Sequence, residues 1–393
     1  MKKIMCFFVK LVALLCYFPT YLIPRKKKRW VFGEAHGFSN NSKYFFLEVL
    51  QEHPEIEAYW IGSRDTVRQL RRQSLPVHYR YSPKGIYLCL TAKVYVVSWL
   101  PGDICFYFSG GATIVNLWHG VGFKKILWLN SSNLLAETSL YRKVIHFIYR
   151  PQLYFHPSIV LSTSPFYTEY VFTKCFRVPK ENCVEDIYPR VKFMLKEKDE
   201  ILGYLQKHAY TQQYDFNASL SAYSRVILYA PTFRDTGKDF IADSGINFNE
   251  LNEIMQRQNA LFIVKLHPST RYDSKTYHGL TNIRFLDRTY DLYTTMPFTD
   301  ILITDYSSIL ADYLLLGKKI IAFPFDYEQY VTECRELQFD YFTCIEGIPV
   351  ARNYEQLKHL LISEVPPASQ TSINRYWQPS ENLYERIINV IYR

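Results

Sequence analysis

The 393-residue sequence has no C-x-x-C pair among its eight cysteines. The spacing that a structural zinc or a redox dithiol needs is therefore missing. Cys6 and Cys16 lie in the apolar N-terminus, and the others sit in apolar contexts such as Leu88-Cys89-Leu90. They read as reduced, buried thiols of a cytosolic protein. Also absent from the strand ends are G-x-G-x-x-G, the Walker loop, G-x-S-x-G and H-E-x-x-H, which excludes a dehydrogenase, a P-loop nucleotidase, an α/β-hydrolase and a zincin. No strand end carries a D-x-D-like acidic pair, so no obligatory metal or cofactor is expected. There is no internal repeat and no low-complexity tract. A composition 48% hydrophobic and 17% aromatic excludes a disordered or fibrous chain, and the length suits two domains.

Acid is missing altogether from residues 1–29, which hold eight lysines and arginines. The net charge is +9, and the other 364 residues carry 38 basic and 37 acidic side chains. A nucleic-acid binder spreads positive charge over its folded face, so no nucleic-acid partner is expected. Residues 4–23 hold one charge, Lys10. They predict an N-terminal apolar membrane-anchoring helix, either spanning the bilayer or lying in its surface, with Pro19 kinking or ending it. No small-residue cleavage site follows. Five basic residues after the segment against two before it place the rest of the chain at the cytoplasmic side of the cell membrane, with attraction to an anionic membrane surface.

Beyond Arg29, short apolar runs alternate with longer mixed segments. Candidate strands are Trp30–Gly33, Tyr59–Ile61, Val94–Ser98, Thr113–Leu117 and Ile159–Leu161, then Val226–Ala230, Leu261–Leu266, Ile301–Thr304 and Ile320–Phe323. Lys43–Glu52, Leu135–Tyr149 and Ser307–Leu316 read as helices. This is the pattern of parallel sheets covered on both faces. The expected fold class is α/β with two Rossmann-like domains, 30–205 and 206–375, meeting in the polar region near 190–222, and a C-terminal helix over 376–393.

Ligands of such sheets bind beyond the carboxyl ends of the strands. His119 follows one strand and is followed by Gly120 and Gly122, which let a ligand approach the backbone; an imidazole there can deprotonate a hydroxyl. His267 ends another strand, before Pro268. Pro231, Thr232, Arg234 and Asp235 follow a third. At the fourth, Asp305, Ser307 and Ser308 suit a helix start, a place for phosphate, with Asp312 one turn in. Arg190, Arg234, Lys124 and Lys125 offer positive charge for phosphate oxygens.

Taken in order, Val31-Phe32-Gly33 with Asn41-Ser42-Lys43, Asn116-Leu117-Trp118-His119-Gly120 with Lys124-Lys125, Tyr188-Pro189-Arg190, Ala230-Pro231-Thr232-Phe233-Arg234-Asp235, Lys265-Leu266-His267-Pro268, Thr304-Asp305-Tyr306-Ser307-Ser308 with Asp312, and Phe323-Pro324-Phe325-Asp326-Tyr327 resemble the CDP-glycerol:poly(glycerophosphate) glycerophosphotransferases of teichoic-acid and capsule-polymer synthesis. The resemblance runs from about Trp30 to about Leu361. It implies a GT-B-like arrangement with the active site in a cleft between the domains, the catalytic base on the N-terminal, acceptor-side domain and the CDP-polyol on the C-terminal one. His119 becomes the catalytic base and His267 a second essential histidine. Gly120, Val121, Gly122, Phe123, Arg190, Pro231, Thr232, Lys265, Ser307, Ser308 and Asp312 become substrate-binding residues. The substrates implied are CDP-glycerol or CDP-ribitol and a lipid-linked or polymer acceptor. Val121-Gly122 stands where many members have Thr-Pro, near the acceptor. The lack of an added large domain favours a priming or short-product enzyme. Two rivals stay open: a GT-B glycosyltransferase using a nucleotide sugar, and a non-catalytic membrane scaffold of the same fold.

Overall fold

Strands buried on both faces appear in sequence as continuous apolar runs, because helices cover them above and below. The computed structural model describes residues 2–130, 139–234, 240–267, 270, 277–334, 336–363 and 366–392. Asp235 and Pro268 lie outside them. The apolar runs form two all-parallel sheets. The first holds β1 Lys26–Gly33, β2 Glu57–Gly62, β3 Val77–Tyr79, β4 Ala92–Val97, β5 Thr113–Asn116, β6 Ile159–Ser162 and β7 Cys183–Glu185, in the order β3-β2-β1-β4-β5-β6-β7. The second holds β8 Arg225–Tyr229, β9 Ala260–Val264, β10 Ile283–Phe285, β11 Ile301–Thr304 and β12 Lys319–Ala322, in the order β10-β9-β8-β11-β12. Each sheet winds outward from its middle in both directions. The switch points fall between β1 and β4 and between β8 and β11, where open α/β sheets receive ligands.

Two compact units contain the sheets. One comprises Met1–His119, Ile126–Arg190 and Trp377–Arg393; the other comprises Gly120–Lys125 and Val191–Tyr376. In the first unit, Val31, Ile61, Leu88, Tyr95, Val97 and Ile104 form a fully buried cluster on one face of the sheet. Trp30, Phe32, Phe45 and Trp60 are equally buried. The C-terminal helix Leu383–Tyr392 belongs to this unit, fixed where the Leu383 N–H donates to Asp186 Oδ2 at 3.0 Å. In the second unit, Ile227, Phe262, Ile303 and Ile321 of the strands pack with Leu251, Met255 and Leu357 of the helices. Each such side chain contributes roughly 1.5–3 kcal/mol relative to exposure.

The N-terminal expectation requires correction. The apolar segment is not a membrane-anchoring helix: its helix covers only Lys2–Tyr17. Sixteen residues rise about 24 Å at 1.5 Å each, short of the roughly 30 Å of bilayer hydrocarbon. A 3-10 turn, Phe18–Leu22, follows with Pro19 at its start. Among the described residues no helix is long and apolar enough to cross a membrane. Hydropathy misled because part of the segment's apolar surface is spent on the protein. Leu14 and Tyr17 are buried, and Tyr17 stacks on Phe106 at 4.6 Å. The basic run is partly internal too. Arg25 donates to the carbonyls of Cys89, Ala92, Phe108 and Gly110, and the buried Arg29 pairs with Glu57 on the neighbouring strand.

Candidate active site

In the first unit the chain leaves β5 through Leu117 and turns sharply at Trp118. Asn116 makes the turn: its Oδ1 accepts the Trp118 N–H at 2.8 Å. Trp118 is held at φ +52°, a left-handed conformation uncommon for a bulky residue and typical of functional turns. The turn lays the His119 ring against Trp118 (4.0 Å between centroids) and stacks it on Trp99 (4.6 Å, 23°). His119 Nδ1 lies 3.3 Å from the Ser98 carbonyl at the end of β4. A hydrogen bond there places the proton on Nδ1 and leaves the Nε2 lone pair as the base. Burial pulls the imidazole pKa down to about 3; the Arg190 and His36 charges lower it further, and the Ser98 carbonyl raises it. The ring is therefore neutral at physiological pH.

The start of the helix Asn40–Glu52 holds this loop in place. Asn41 is fully buried, and its Nδ2 donates to the Trp118 carbonyl at 2.9 Å. Ser42 contributes its N–H and its hydroxyl to Ser98 Oγ at 3.0 and 2.7 Å. Arg190, at the start of the helix Pro189–Met194, is buried; its Nη1 donates to Asn40 Oδ1 at 2.7 Å and to the His119 carbonyl at 2.9 Å. The arginine thus braces the histidine's backbone from the far end of the unit. Glu34, after β1, and Asp103, after β4, are two buried carboxyls beside the same strand ends. Burial raises the affinity of both for a proton. Asp103 Oδ2 accepts the Trp99 N–H at 2.9 Å.

In the second unit Gly120–Lys125 forms a short strap. The Phe123 carbonyl accepts from the Gln338 N–H, the Lys125 N–H donates to the Glu336 carbonyl, and the Lys125 ammonium pairs with the Glu336 carboxylate at 2.9 Å. Val121 and Phe123 are buried, and Phe123 meets the Tyr341 ring edge-on. A Cβ added at Gly122 would lie 3.3 Å from Ser308 Cβ, so the absence of a side chain permits this approach. Ser307 and Ser308 precede the helix Ile309–Leu314, which stops before Gly317 at φ +64°. Asp312, on that helix, is fully buried and accepts from the Tyr293 hydroxyl at 2.5 Å.

Pro231 and Thr232 lie after β8, at the switch point. The Thr232 N–H donates to Asp305 Oδ1 at 2.8 Å, while its buried hydroxyl has no partner among the described residues. Arg234 is absorbed into the fold. Its guanidinium donates to both carboxylate oxygens of Asp326, to Asp305 Oδ2 and to the Thr232 carbonyl, at 2.6–2.9 Å. Lys265 is occupied too: its ammonium donates to the carbonyls of Asp287, Arg288 and Tyr290. Burial brings its pKa down to about 8, against the Asp291 and Asp287 charges. His267 is exposed, with its ring 5.2 Å from that of Phe233.

The structure therefore brings His119 and Arg190 together in one unit, and the strap, Ser307–Ser308 and Asp312 together in the other. Sequence reasoning passed over Ser98, Trp99, Asn40, Glu34 and Asp103. The available signal was position, since all follow β1 or β4 at the first switch point. Among the described residues no group of three or more histidines, cysteines or carboxylates is placed to hold a metal ion.

The family model for CDP-Glycerol:Poly(glycerophosphate) glycerophosphotransferase matches residues 15–378. The chain belongs to this family. It is 24% identical over 349 residues to a teichoic acid poly(ribitol-phosphate) polymerase of Bacillus spizizenii, covering 87% of this chain and 52% of that protein. With the teichoic acid glycerol-phosphate transferase of Staphylococcus aureus it shares 24% identity over 369 residues, 91% of this chain and 88% of that one. The chain spans about half the length of the first of these relatives. The solved wall teichoic acid polymerase TagF has the same fold, with a TM-score of 0.65 at 20% identity over 94% of this chain and 84% of the other.

Proposed function

We propose that this member of the glycerophosphotransferase family transfers glycerol phosphate, or ribitol phosphate, from the CDP-activated polyol to a hydroxyl of a lipid-linked or polymer acceptor. His119 takes the proton of the acceptor hydroxyl. The oxygen attacks the distal phosphorus of the diphosphate, the bridging P–O bond breaks, and CMP leaves with the bridging oxygen. The observation that carries this reading is the state of His119: a neutral imidazole, its Nδ1 engaged by the Ser98 carbonyl, with Nε2 left as the base. A base with so depressed a pKa grips a proton weakly in the free protein. A diphosphate brought beside it stabilises the imidazolium and strengthens its grip.

Ser307, Ser308, Gly122 and the Thr232 hydroxyl, which has no partner among the described residues, are assigned to the diphosphate, where preorganised donors stabilise the charge that moves onto its oxygens. Pro231, Gly120, Val121 and Phe123 shape the donor's surroundings, and Asp312 is assigned to the polyol. His267 is assigned to the leaving phosphate. Arg190 and Lys265 act by holding the His119 loop and the 287–290 loop. The acceptor is proposed to sit at the cytoplasmic face of a membrane. Leu140 and Tyr141 are exposed on the helix Leu140–Tyr149, which contains no acid. Such a face suits contact with an anionic lipid surface.

The test is release of CMP from CDP-glycerol and CDP-ribitol by the purified protein with a lipid-linked acceptor. Wild-type release rates in His119→Ala would refute the assignment. Release of UDP from UDP-sugars in the same donor panel would favour the glycosyltransferase instead.

A further inference from the structure

Trp99 is the large aromatic displayed beside the base. It is 42% exposed, yet little about it is loose. Its N–H donates to Asp103 Oδ2 at 2.9 Å, and its carbonyl accepts from Asn116 Nδ2 at 2.7 Å. Both partners are buried. The indole stacks on Trp118 (5.1 Å, 20°) and on His119 (4.6 Å, 23°). Among the described residues the indole N–H has no hydrogen-bond partner. Two buried polar side chains thus fix the backbone that carries this flat, half-exposed apolar ring, whose rim holds a donor with no partner among the described residues. An indole offers a broad apolar face and one polar handle, and sites that hold organic ligands combine such faces with a few placed donors.

A group flush against the base lies beside whatever the base deprotonates, which is the acceptor. We infer that Trp99 is an acceptor subsite, on which a pyranose ring stacks its C–H face while presenting a hydroxyl to His119 Nε2. An acyclic polyol phosphate has no rigid apolar face to lay on the indole, so the subsite selects glycosyl acceptors over polyol-phosphate chains. Asn116 and Asp103 act as its positioning residues. The inference rests on His119 being the base that meets the acceptor.

The experiment compares wild type, Trp99→Ala and Trp99→Phe with two acceptor probes, a short-chain alkyl pyranoside series and a glycerol-phosphate trimer. In turnover with CDP-glycerol, Trp99→Ala is expected to raise the KM for the pyranosides about tenfold, a loss within the range measured for aromatic stacking, and to leave the KM for CDP-glycerol unchanged. Trp99→Phe should recover most of the loss. Equal changes for both acceptors, or a raised KM for CDP-glycerol, would overturn the inference. A second arm measures pyranoside binding by calorimetry with no donor present. Binding that depends on Trp99 without any CMP release would keep the subsite and reject the transferase reading. CMP release with pyranoside binding indifferent to Trp99 would do the reverse. Thermal unfolding of Trp99→Phe checks that the fold is intact.

Discussion

Arg234→Met separates a structural arginine from a phosphate-binding one. In sequence, Arg234 stands after β8 and looks like a ligand for the donor. In the structure its guanidinium donates to Asp305, Asp326 and the Thr232 carbonyl. The side chains of Arg234 and Asp305 are 3% and 1% exposed. Tyr306 and Tyr330 flank the guanidinium at 5.1 and 4.9 Å. Methionine fills much of the volume but leaves two carboxylates facing each other without a cation. Breaking a buried pair by removing one partner costs roughly 3–5 kcal/mol, because the remaining charge is uncompensated. For a unit of this size each kcal/mol lowers the unfolding midpoint by roughly 2–4 °C, so a drop of about 10 °C is expected. Scanning calorimetry of wild type, Arg234→Met, Asp305→Asn and the double variant measures it. The double variant should lose less than the sum of the singles, with a coupling of roughly 1–3 kcal/mol. A midpoint within 2 °C of wild type, together with a higher KM for CDP-glycerol, would refute the argument and return Arg234 to the substrate.

Four further outcomes are expected. His119→Gln should lower CMP release by roughly 10²–10⁴-fold, the usual loss for a general base, with unchanged circular dichroism. The His119 pKa is depressed, so the free protein keeps the ring neutral until the pH falls toward about 3. The kcat/KM profile should then show no acid limb from this group between pH 5 and 8, and a limb near pH 6.5 that vanishes in His119→Gln would contradict it. Arg190→Lys keeps the charge but loses the planar reach to both Asn40 Oδ1 and the His119 carbonyl; kcat should fall at least tenfold with the donor KM unchanged, since small misplacements of a catalytic group are costly. Gly122→Val puts atoms against Ser308 and should raise the KM for CDP-glycerol about tenfold, an overpacking cost of roughly 1–3 kcal/mol, whereas a wild-type KM would show that the close approach is not needed.

How much of this was readable in advance depended on what each residue does with its side chain. The eight interior strands and the edge strand β12 announce themselves because a strand buried on both faces has no room for polar residues. The three that escaped, Val77–Tyr79, Cys183–Glu185 and Ile283–Phe285, are all edge strands of three residues. They pair on one side only, so the half-buried His78 and the exposed Arg284 are tolerated. The N-terminal segment failed for the opposite reason. Its apolarity was real, but a hydropathy reading cannot tell surface turned to lipid from surface spent on Phe106 and Phe155. The same distinction governs the site. His119 stood out in the sequence because it closes an apolar strand and precedes two glycines. Arg190 and Lys265 read as charge for phosphate because a sequence records charge and not its partners; in the structure both donate to backbone carbonyls, and Arg190 also to Asn40. Asn41 and Ser98 stayed hidden in their roles because they act on backbone groups 77 and 56 residues away in the chain. A loop bent through a left-handed tryptophan needs such long-range clamps, and it follows that removing Asn41 should disturb His119 as surely as replacing the histidine's own neighbours.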